Sequence, residues 1–193
     1  MKISFKTLLT LGAPLIIVAL CSRPAFGSSL QGAEQYYQAG VVHYLGKGVN
    51  KNAKVASEYF KIAALQEHAD AEFSLGVLYE KGEGVTKNIK EAIQWYEKAA
   101  KQNHPKAQFN LALLLFEGFG TERNLKEGLF WLEKAALHGF AKAQYKLGCA
   151  YLEGKGTEKN LLLASEWLHK AAALGDKEAE QILKILEDTL ATR

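Results

Sequence analysis

The sequence is poor in cysteine, which limits how the fold can be stabilised. It contains two cysteines in 193 residues, Cys21 and Cys149. If the N-terminal segment is removed on export, only Cys149 remains, so no internal disulfide can form and stability must come from packing. The hydrophobic content of 48% and the charged content of 23% are typical of a globular chain.

The sequence also lacks an excess of positive charge outside its first segment. Three of its basic residues, and no acidic residue, lie in the first 27 positions: Lys2, Lys6 and Arg23. Removing these three from the 24 basic residues leaves 21, against 21 acidic ones. No basic patch then remains to contact phosphates, so no nucleic-acid partner is expected.

The N-terminal segment has the organisation of a secretory signal peptide. Lys2 and Lys6 precede an apolar run from Leu8 to Leu20. Ala25 and Gly27 then place small residues at the −3 and −1 positions of a cleavage site. This pattern predicts cleavage after Gly27.

We therefore predict a cleavable signal peptide over 1–27, a short linker over 28–32, and a protein that is periplasmic or secreted. Two alternatives remain open. One is an uncleaved membrane anchor, although the apolar run is shorter than the roughly 20 residues that span a bilayer. The other is lipoprotein processing at Cys21, against which stands the bulky Leu20 before the cysteine.

Catalytic and metal-binding patterns are missing as well. No two histidines are spaced by four residues, and neither His-Glu-x-x-His nor Gly-x-Ser-x-Gly occurs. Ser57 and Ser165 are 108 residues apart, three times the repeat period identified below, which favours packing over nucleophilic catalysis. We predict that the protein is not an enzyme, and we expect no catalytic residue, cofactor, metal or small-molecule substrate.

What the sequence does contain is a fourfold repeat. A Gly-x-Gly turn followed four residues later by asparagine recurs every 36 residues. The four copies are Gly46-Lys47-Gly48, Gly82-Glu83-Gly84, Gly118-Phe119-Gly120 and Gly154-Lys155-Gly156. No strand pattern precedes these turns, so turn geometry explains the glycines better than phosphate binding does.

Each repeat predicts two helices, one on either side of the turn. Before the turn, apolar residues recur at i, i+4 and i+8, as in Ala71, Leu75 and Tyr79. After it, Asn52, Asn88, Asn124 and Asn160 occupy N-cap positions. Asn88 with Glu91, and Asn124 with Glu127, have capping-box spacing.

The ends of the repeat units predict further caps. Gly139, Gly175 and Asn103 occupy the C′ position, where a left-handed residue ends a helix, whereas Glu67 departs from that pattern. The repeat units are predicted at approximately 33–68, 69–104, 105–140 and 141–175. A last helix over 176–190 has no Gly-x-Gly after it and is predicted to cap the C-terminal end.

These residues resemble the Sel-1-like repeat family, a branch of the tetratricopeptide-like α/α solenoids. The resemblance rests on Ala69 to Ala100, Pro105 to Ala136 and Ala141 to Ala172, with a weaker copy from Ala33 to Ala64. It implies an all-α, right-handed superhelix whose first helices line a concave surface. It also implies a scaffold for protein–protein interaction, often exported in bacteria for signalling, secretion or host contact.

A cysteine-rich branch of that family suggests an alternative function. Those exported relatives carry a disulfide in each repeat and are described as β-lactamases or penicillin-binding proteins. A cell-wall or β-lactam hydrolase is therefore the alternative function, but the paired cysteines are absent here. A purely structural spacer within an envelope complex is the third hypothesis.

A second apolar face on the first helices is the predicted partner-binding surface. Phe73 and Val77 lie roughly opposite Ala71 and Leu75 on a helix. Inter-repeat core and an open groove are both compatible with this pattern. The predicted concave-face residues are Tyr37, Val41, Tyr44, Phe73, Val77, Glu80, Phe109, Leu113, Phe116, Tyr145, Cys149 and Leu152.

Phe119 is a further predicted contact residue. It occupies the middle of a Gly-x-Gly turn where the other copies carry Lys47, Glu83 and Lys155. An aromatic residue at a loop tip that is otherwise charged indicates a contact point, unless the ring folds back onto its own repeat.

Overall fold

The computed structural model describes residues 26–191, with side chains over 32–188. Within that part of the chain there are nine helices and no strand. The helices are α1 (Phe26–Leu45), α2 (Ala53–Ala64), α3 (Ala69–Lys81), α4 (Ile89–Lys101), α5 (Pro105–Glu117), α6 (Leu125–Leu137), α7 (Ala141–Glu153), α8 (Leu161–Ala173) and α9 (Lys177–Ala191). We call α1, α3, α5 and α7 the A helices, and α2, α4, α6 and α8 the B helices.

Helices pack against their neighbours in chain order, which makes the fold an all-α solenoid of four helix pairs. The A and B helices of one repeat pack most extensively, each B helix packs on the next A helix, and α9 packs on α8. The predicted all-α repeat architecture is confirmed. In the seam between α8 and α9, Leu168 and Ala171 meet Ala179 and Leu183.

Close approach within a repeat depends on a small residue in the A helix. A Cβ added at Gly76 would lie 2.6 Å from the ring of Tyr96 in α4, and one at Gly148 would lie 2.7 Å from Leu168 in α8. Glycine in a helix costs about 1 kcal/mol relative to alanine. Here it makes room for a bulky B-helix side chain that is fully buried.

The two glycines of each turn have different roles. The first is the left-handed C-cap of the A helix, as at Gly82 with φ 78°. The second also has positive φ, and in repeats two to four it lies against the previous repeat. A Cβ at Gly84 would overlap the backbone carbonyl of Ala53 in α2, whereas one at Gly48 meets nothing within 4 Å. Gly48 has no preceding repeat to contact.

The turn asparagines cap the B helices as predicted. The side chain of each accepts from the backbone N–H three residues later, as in Asn88 with Glu91. The reciprocal half of the predicted capping box is wrong, however. The backbone N–H of Asn88 donates to the Tyr79 carbonyl, and that of Asn124 donates to the Leu115 carbonyl, both at 2.9 Å. Because the preceding A helix satisfies these donors, no glutamate is needed there.

The left-handed residues predicted at the C′ positions of the B helices are present. Gly139, Gly175 and Asn103 have positive φ, and so does Glu67 with φ 59°. Asp176 accepts from the Ala179 backbone N–H, so it is the N-cap of α9 rather than its first residue.

The N-terminal end differs from the prediction in one segment. Residues 28–32, predicted as a linker, are part of α1. The segment contains no proline, so each of its residues can donate to the helix ladder. Residues 1–25 of the predicted signal peptide, including Cys21, lie outside the described residues. Among the described helices, none is long and apolar enough to cross a membrane.

Candidate functional site

A continuous apolar surface runs across the A helices, and we call it the stripe. It consists of the fifth and ninth positions of each repeat, which are Tyr37, Val41, Phe73, Val77, Phe109, Leu113, Tyr145 and Cys149. All eight side chains are half-buried. The opposite side of the same helices is fully buried, as shown by Ala71, Leu75 and Leu111, each at most 1% exposed. The stripe therefore presents apolar area to the outside in every repeat.

Three aromatic residues of the stripe also pack on the residue that caps the next A helix. The Tyr37 ring stacks on His68 and the Phe73 ring stacks on His104, each pair at a centroid distance of 4.7 Å. Phe109 makes an edge contact with Phe140 at 5.2 Å. Because these rings pack on the N-caps of the following A helices and yet are only half-buried, the stripe is both a contact between helix pairs and an open surface.

The histidines beneath these rings are helix N-caps. His68 Nδ1 accepts from the Ala71 backbone N–H, so the proton of the neutral ring lies on Nε2 and is donated to Glu34 at 2.8 Å. These hydrogen bonds from His68 and from Gln38 lower the pKa of the Glu34 carboxyl. Glu34 therefore carries its negative charge at neutral pH.

The second histidine repeats this arrangement. His104 Nδ1 accepts from the Ala107 backbone N–H, and Nε2 lies 3.1 Å from Asp70. Burial lowers the pKa of His104 even though Asp70 opposes the shift. The neutral ring is therefore the form that caps α5.

A cavity of about 210 Å³ opens on the stripe between α1 and α3. Tyr37, Val41, Phe73 and Val77 line it, and the Phe60 ring contributes from α2. Its volume suits one aliphatic or aromatic side chain. Two wider clefts of about 460 and 590 Å³ lie elsewhere, but their walls are rich in lysine and glutamate.

The predicted residues near the A-helix ends are partly engaged within the protein. The Tyr44 hydroxyl donates to Glu83 of the next repeat at 2.7 Å. The Glu80 carboxylate accepts from the Tyr96 hydroxyl at 2.6 Å, and burial and this carboxylate hold the pKa of Tyr96 far above its usual range. Leu152 is half-buried and packs on the α8–α9 cluster.

Phe116 does not fit its predicted place on the exposed face. It is only 4% exposed, and its ring lies against Gly128 of α6, where a Cβ would approach it to 2.8 Å. The Lys155 ammonium covers the ring at 4.7 Å. Gly128 occupies a position where the other repeats carry alanine. This exception was the sequence signal that a bulky side chain, here the Phe116 ring, packs against α6.

Phe119 lies at its loop tip with 62% of its surface exposed. It therefore does not fold back onto its own repeat. Its role as a contact residue stays a prediction.

Nothing among the described polar residues forms an activated nucleophile. Ser165 Oγ lies 3.3 Å from His169 Nδ1, but that nitrogen lies closer, at 2.8 Å, to the Ser165 carbonyl. It therefore carries a proton and cannot act as a base toward the hydroxyl. Burial raises the pKa of the Cys149 thiol, which keeps it protonated. Over the described residues no group of three or more metal-ligating side chains occurs.

Sequence reasoning missed the cap residues that support the stripe. His68 and His104 are 36 residues apart, at equivalent positions of their repeats, but their contacts with Tyr37 and Phe73 were not predicted. The available signal was their place directly before an A helix, where a side chain that accepts a hydrogen bond is favoured.

Comparisons with known proteins agree with this architecture. The Sel1 repeat family matches four segments, 34–68, 69–104, 105–140 and 141–176. A crystal structure of a Sel1 repeat protein from Oxalobacter formigenes is 39% identical with a TM-score of 0.76, over 82% of this chain and 65% of that one. No curated protein matches the chain.

Two further solved structures are similar. The protective antigen c5321 of uropathogenic Escherichia coli strains, described as displaying an SLR fold, is 34% identical with a TM-score of 0.75, over 79% of this chain and 33% of that one. Helicobacter pylori cysteine rich protein B is 19% identical with a TM-score of 0.50, over 82% of this chain and 97% of that one. The last likeness concerns the fold alone. The chain spans less than two thirds of the first two proteins.

Proposed function

The chain belongs to the Sel1 repeat family, and from this premise we propose that it is an exported scaffold that binds a protein partner on the stripe. The observation that carries the proposal is the half-buried apolar stripe, which recurs in all four repeats. An apolar surface of this kind is the type of feature that marks an interaction site. The setting we propose is a bacterial envelope or host-contact process.

The geometry favours a bound segment over a small-molecule substrate. The stripe is open along its length, and a cavity between α1 and α3 is large enough for a single side chain. Aromatic anchors such as Phe73 and Phe109 supply large contact areas with few rotatable bonds, which suits binding hot spots. The family resemblance to interaction scaffolds supports the same conclusion.

Recovery of a partner from the native envelope fraction tests the binding proposal. Leu113→Asp places a charge on the stripe, and Phe130→Asp is the matched control, because Phe130 is 48% exposed on the B helix α6. We expect Leu113→Asp to abolish recovery and Phe130→Asp to preserve it. Thermal melting shows that both variants are folded. Equal recovery with both folded variants would refute the stripe as the site.

Export is proposed from the leader sequence and needs its own test. A tagged full-length chain should appear outside the cytoplasm with Ser28 as its first residue, as measured by mass spectrometry. A product that begins at Cys21 with a lipid attached would instead support the lipoprotein alternative. An unprocessed chain in the membrane fraction would support the anchor.

A further inference from the structure

The edge of the stripe changes charge sign along the protein. The second position of each repeat lies about 20° around the helix from the ninth, so its side chain borders the stripe. This position is occupied by Glu34, Asp70, Lys106 and Lys142 in chain order. All four side chains are exposed. The first two repeats therefore present an acidic edge, and the last two a basic one.

No ion pair within residues 32–188 accounts for the lysines of the basic edge. Among the ion pairs of residues 32–188, none includes Lys106 or Lys142. Both are the second residue of an A helix, in first turns without an acidic residue. A positive charge there opposes the helix dipole, so it lowers helix stability. Lys146, one turn further along α7, adds to the same edge and lies over the Tyr145 ring.

The carboxylates of the acidic edge stay accessible although histidines contact them. His68 and His104 accept backbone N–H groups through Nδ1 and are therefore neutral donors to Glu34 and Asp70. The two carboxylates are 54% and 59% exposed, so each can accept further hydrogen bonds from a basic side chain of a bound partner.

Position 13 of each repeat lies on this same edge, at the C-terminal end of the A helix, and contributes less polarity. Lys81 pairs with Glu83 at 3.9 Å, and Lys155 pairs with Glu117 at 3.6 Å, so these charges largely offset each other. Glu178 of α9 follows Lys142 at the equivalent position. Because Glu117 and Glu153 occupy position 13 on this edge, the basic edge is confined to the first two turns of α5 and α7.

We propose that the segment bound on the stripe is a charge-polarised peptide of the partner, basic over α1 and α3, acidic over α5 and α7, and apolar between. One apolar side chain near its basic end occupies the cavity between α1 and α3. Charge complementarity between the edge and the peptide, together with the apolar stripe, supports this assignment. This inference rests on the proposed function, since it names the chemistry of the partner at the same site.

Fluorescence anisotropy of synthetic peptides with the full chain tests the proposal. Peptides of about 12 residues span roughly 40 Å when extended. Two carry lysines at one end, glutamates at the other and leucine and phenylalanine between, in both chain directions. A third has the same composition with the charges interleaved. We expect one polarised peptide to bind at least about tenfold more tightly than the interleaved one, with affinity falling as salt is raised.

Charge reversal on the protein locates the effect. The double variant Lys106→Glu, Lys142→Glu should weaken binding of the polarised peptide by about tenfold. The matched control is Lys90→Glu, Lys126→Glu, because these lysines are also exposed second residues of helices, but in α4 and α6. Both double variants remove an unfavourable charge from a helix N-terminus, so neither should unfold the protein.

Several results would overturn the proposal. Equal binding of polarised and interleaved peptides, or no binding of any peptide, contradicts charge polarity. So does equal weakening by both double variants. Binding to phosphatidylglycerol vesicles in place of peptides would indicate a membrane surface as the target. The proposed function fails separately, if Leu113→Asp leaves partner recovery unchanged.

Discussion

The two sides of each A helix differ in how much they vary between repeats. On the core side, the same pattern of alanine, leucine and a small residue recurs in repeats two to four, and these residues are buried. On the stripe side, apolar size is kept at the fifth and ninth positions, but charge at the second position reverses from Asp70 to Lys106. Packing restricts the residues on the core side. It does not restrict the charge at the stripe edge, so that charge is available for contact with a partner.

The largest expected effect concerns the contact between successive repeats. Gly84→Ala should lower the free energy of unfolding by about 4 kcal/mol, because positive φ disfavours alanine and its Cβ would overlap the Ala53 backbone. Gly48→Ala, at a similar φ with open space around it, should lower it by about 1 kcal/mol. Urea denaturation measures both. Equal losses would show that the contact with the previous repeat contributes nothing.

The second comparison sets the two sides of α5 against each other. Leu111→Ala should destabilise the protein by about 3 kcal/mol, because Leu111 is 1% exposed and its loss leaves a cavity. Leu113→Ala, on the half-buried stripe, should lower the free energy of unfolding by about 1 kcal/mol and should weaken partner binding. If Leu113→Ala proves as destabilising as Leu111→Ala, then the stripe is core and the proposed site is wrong.

A smaller change in the free energy of unfolding, this time an increase, is expected when the buried carboxyl of Glu72 is replaced. Glu72 is 2% exposed, and burial raises its pKa although Gln102 donates to it. In the next two repeats the equivalent Gln108 and Gln144 donate to backbone carbonyls. Glu72→Gln should therefore stabilise the protein at pH 7 by about 1.5 kcal/mol, because it removes a buried charge and adds such a donor.

The pH dependence of that gain follows from the raised pKa. Glu72 in the folded state favours the protonated form, so its contribution to stability is present below its usual pKa of about 4.3 and is lost as pH rises through the folded value. The advantage of Glu72→Gln should consequently shrink when denaturation is measured at pH 4. An advantage that grows toward acid pH would contradict the assigned cause.

The smallest effect concerns the cap beneath the stripe. His104→Ala should destabilise the protein by about 1 kcal/mol at pH 8 through loss of the N-cap. Burial lowers the pKa of His104, so this contribution is present above the usual histidine pKa of about 6.5 and is lost as pH falls through the folded value. Phe140→Ala is the control, since Phe140 makes no side-chain cap bond. The loss of stability caused by Phe140→Ala should not change with pH. If the loss caused by His104→Ala instead increases in acid, His104 does not cap α5 in its neutral form.

Local chemistry made most of the fold predictable from the sequence. The asparagine caps, the left-handed glycines and the buried leucines follow from spacing and residue type alone. The failures involve contacts between distant positions. The Asn88 backbone N–H donates to the Tyr79 carbonyl, and the Phe116 ring packs against Gly128. Packing between helices decides these contacts, because local sequence allows more than one hydrogen-bond partner and more than one side-chain direction. The exposed fraction of the stripe side chains could not be predicted either. Periodicity shows which residues share a helix face, but it does not distinguish an open groove from a buried contact between repeats.

Site-specific photo-crosslinking tests the central claim that partners bind on the stripe. A photoreactive residue replaces Leu113 on the stripe in one variant and Phe130 on α6 in the other, and both are irradiated in the native envelope. We predict that position 113 captures a discrete partner segment that carries acidic residues, and that position 130 does not. Capture of the same partner from position 130, with none from position 113, would contradict the account.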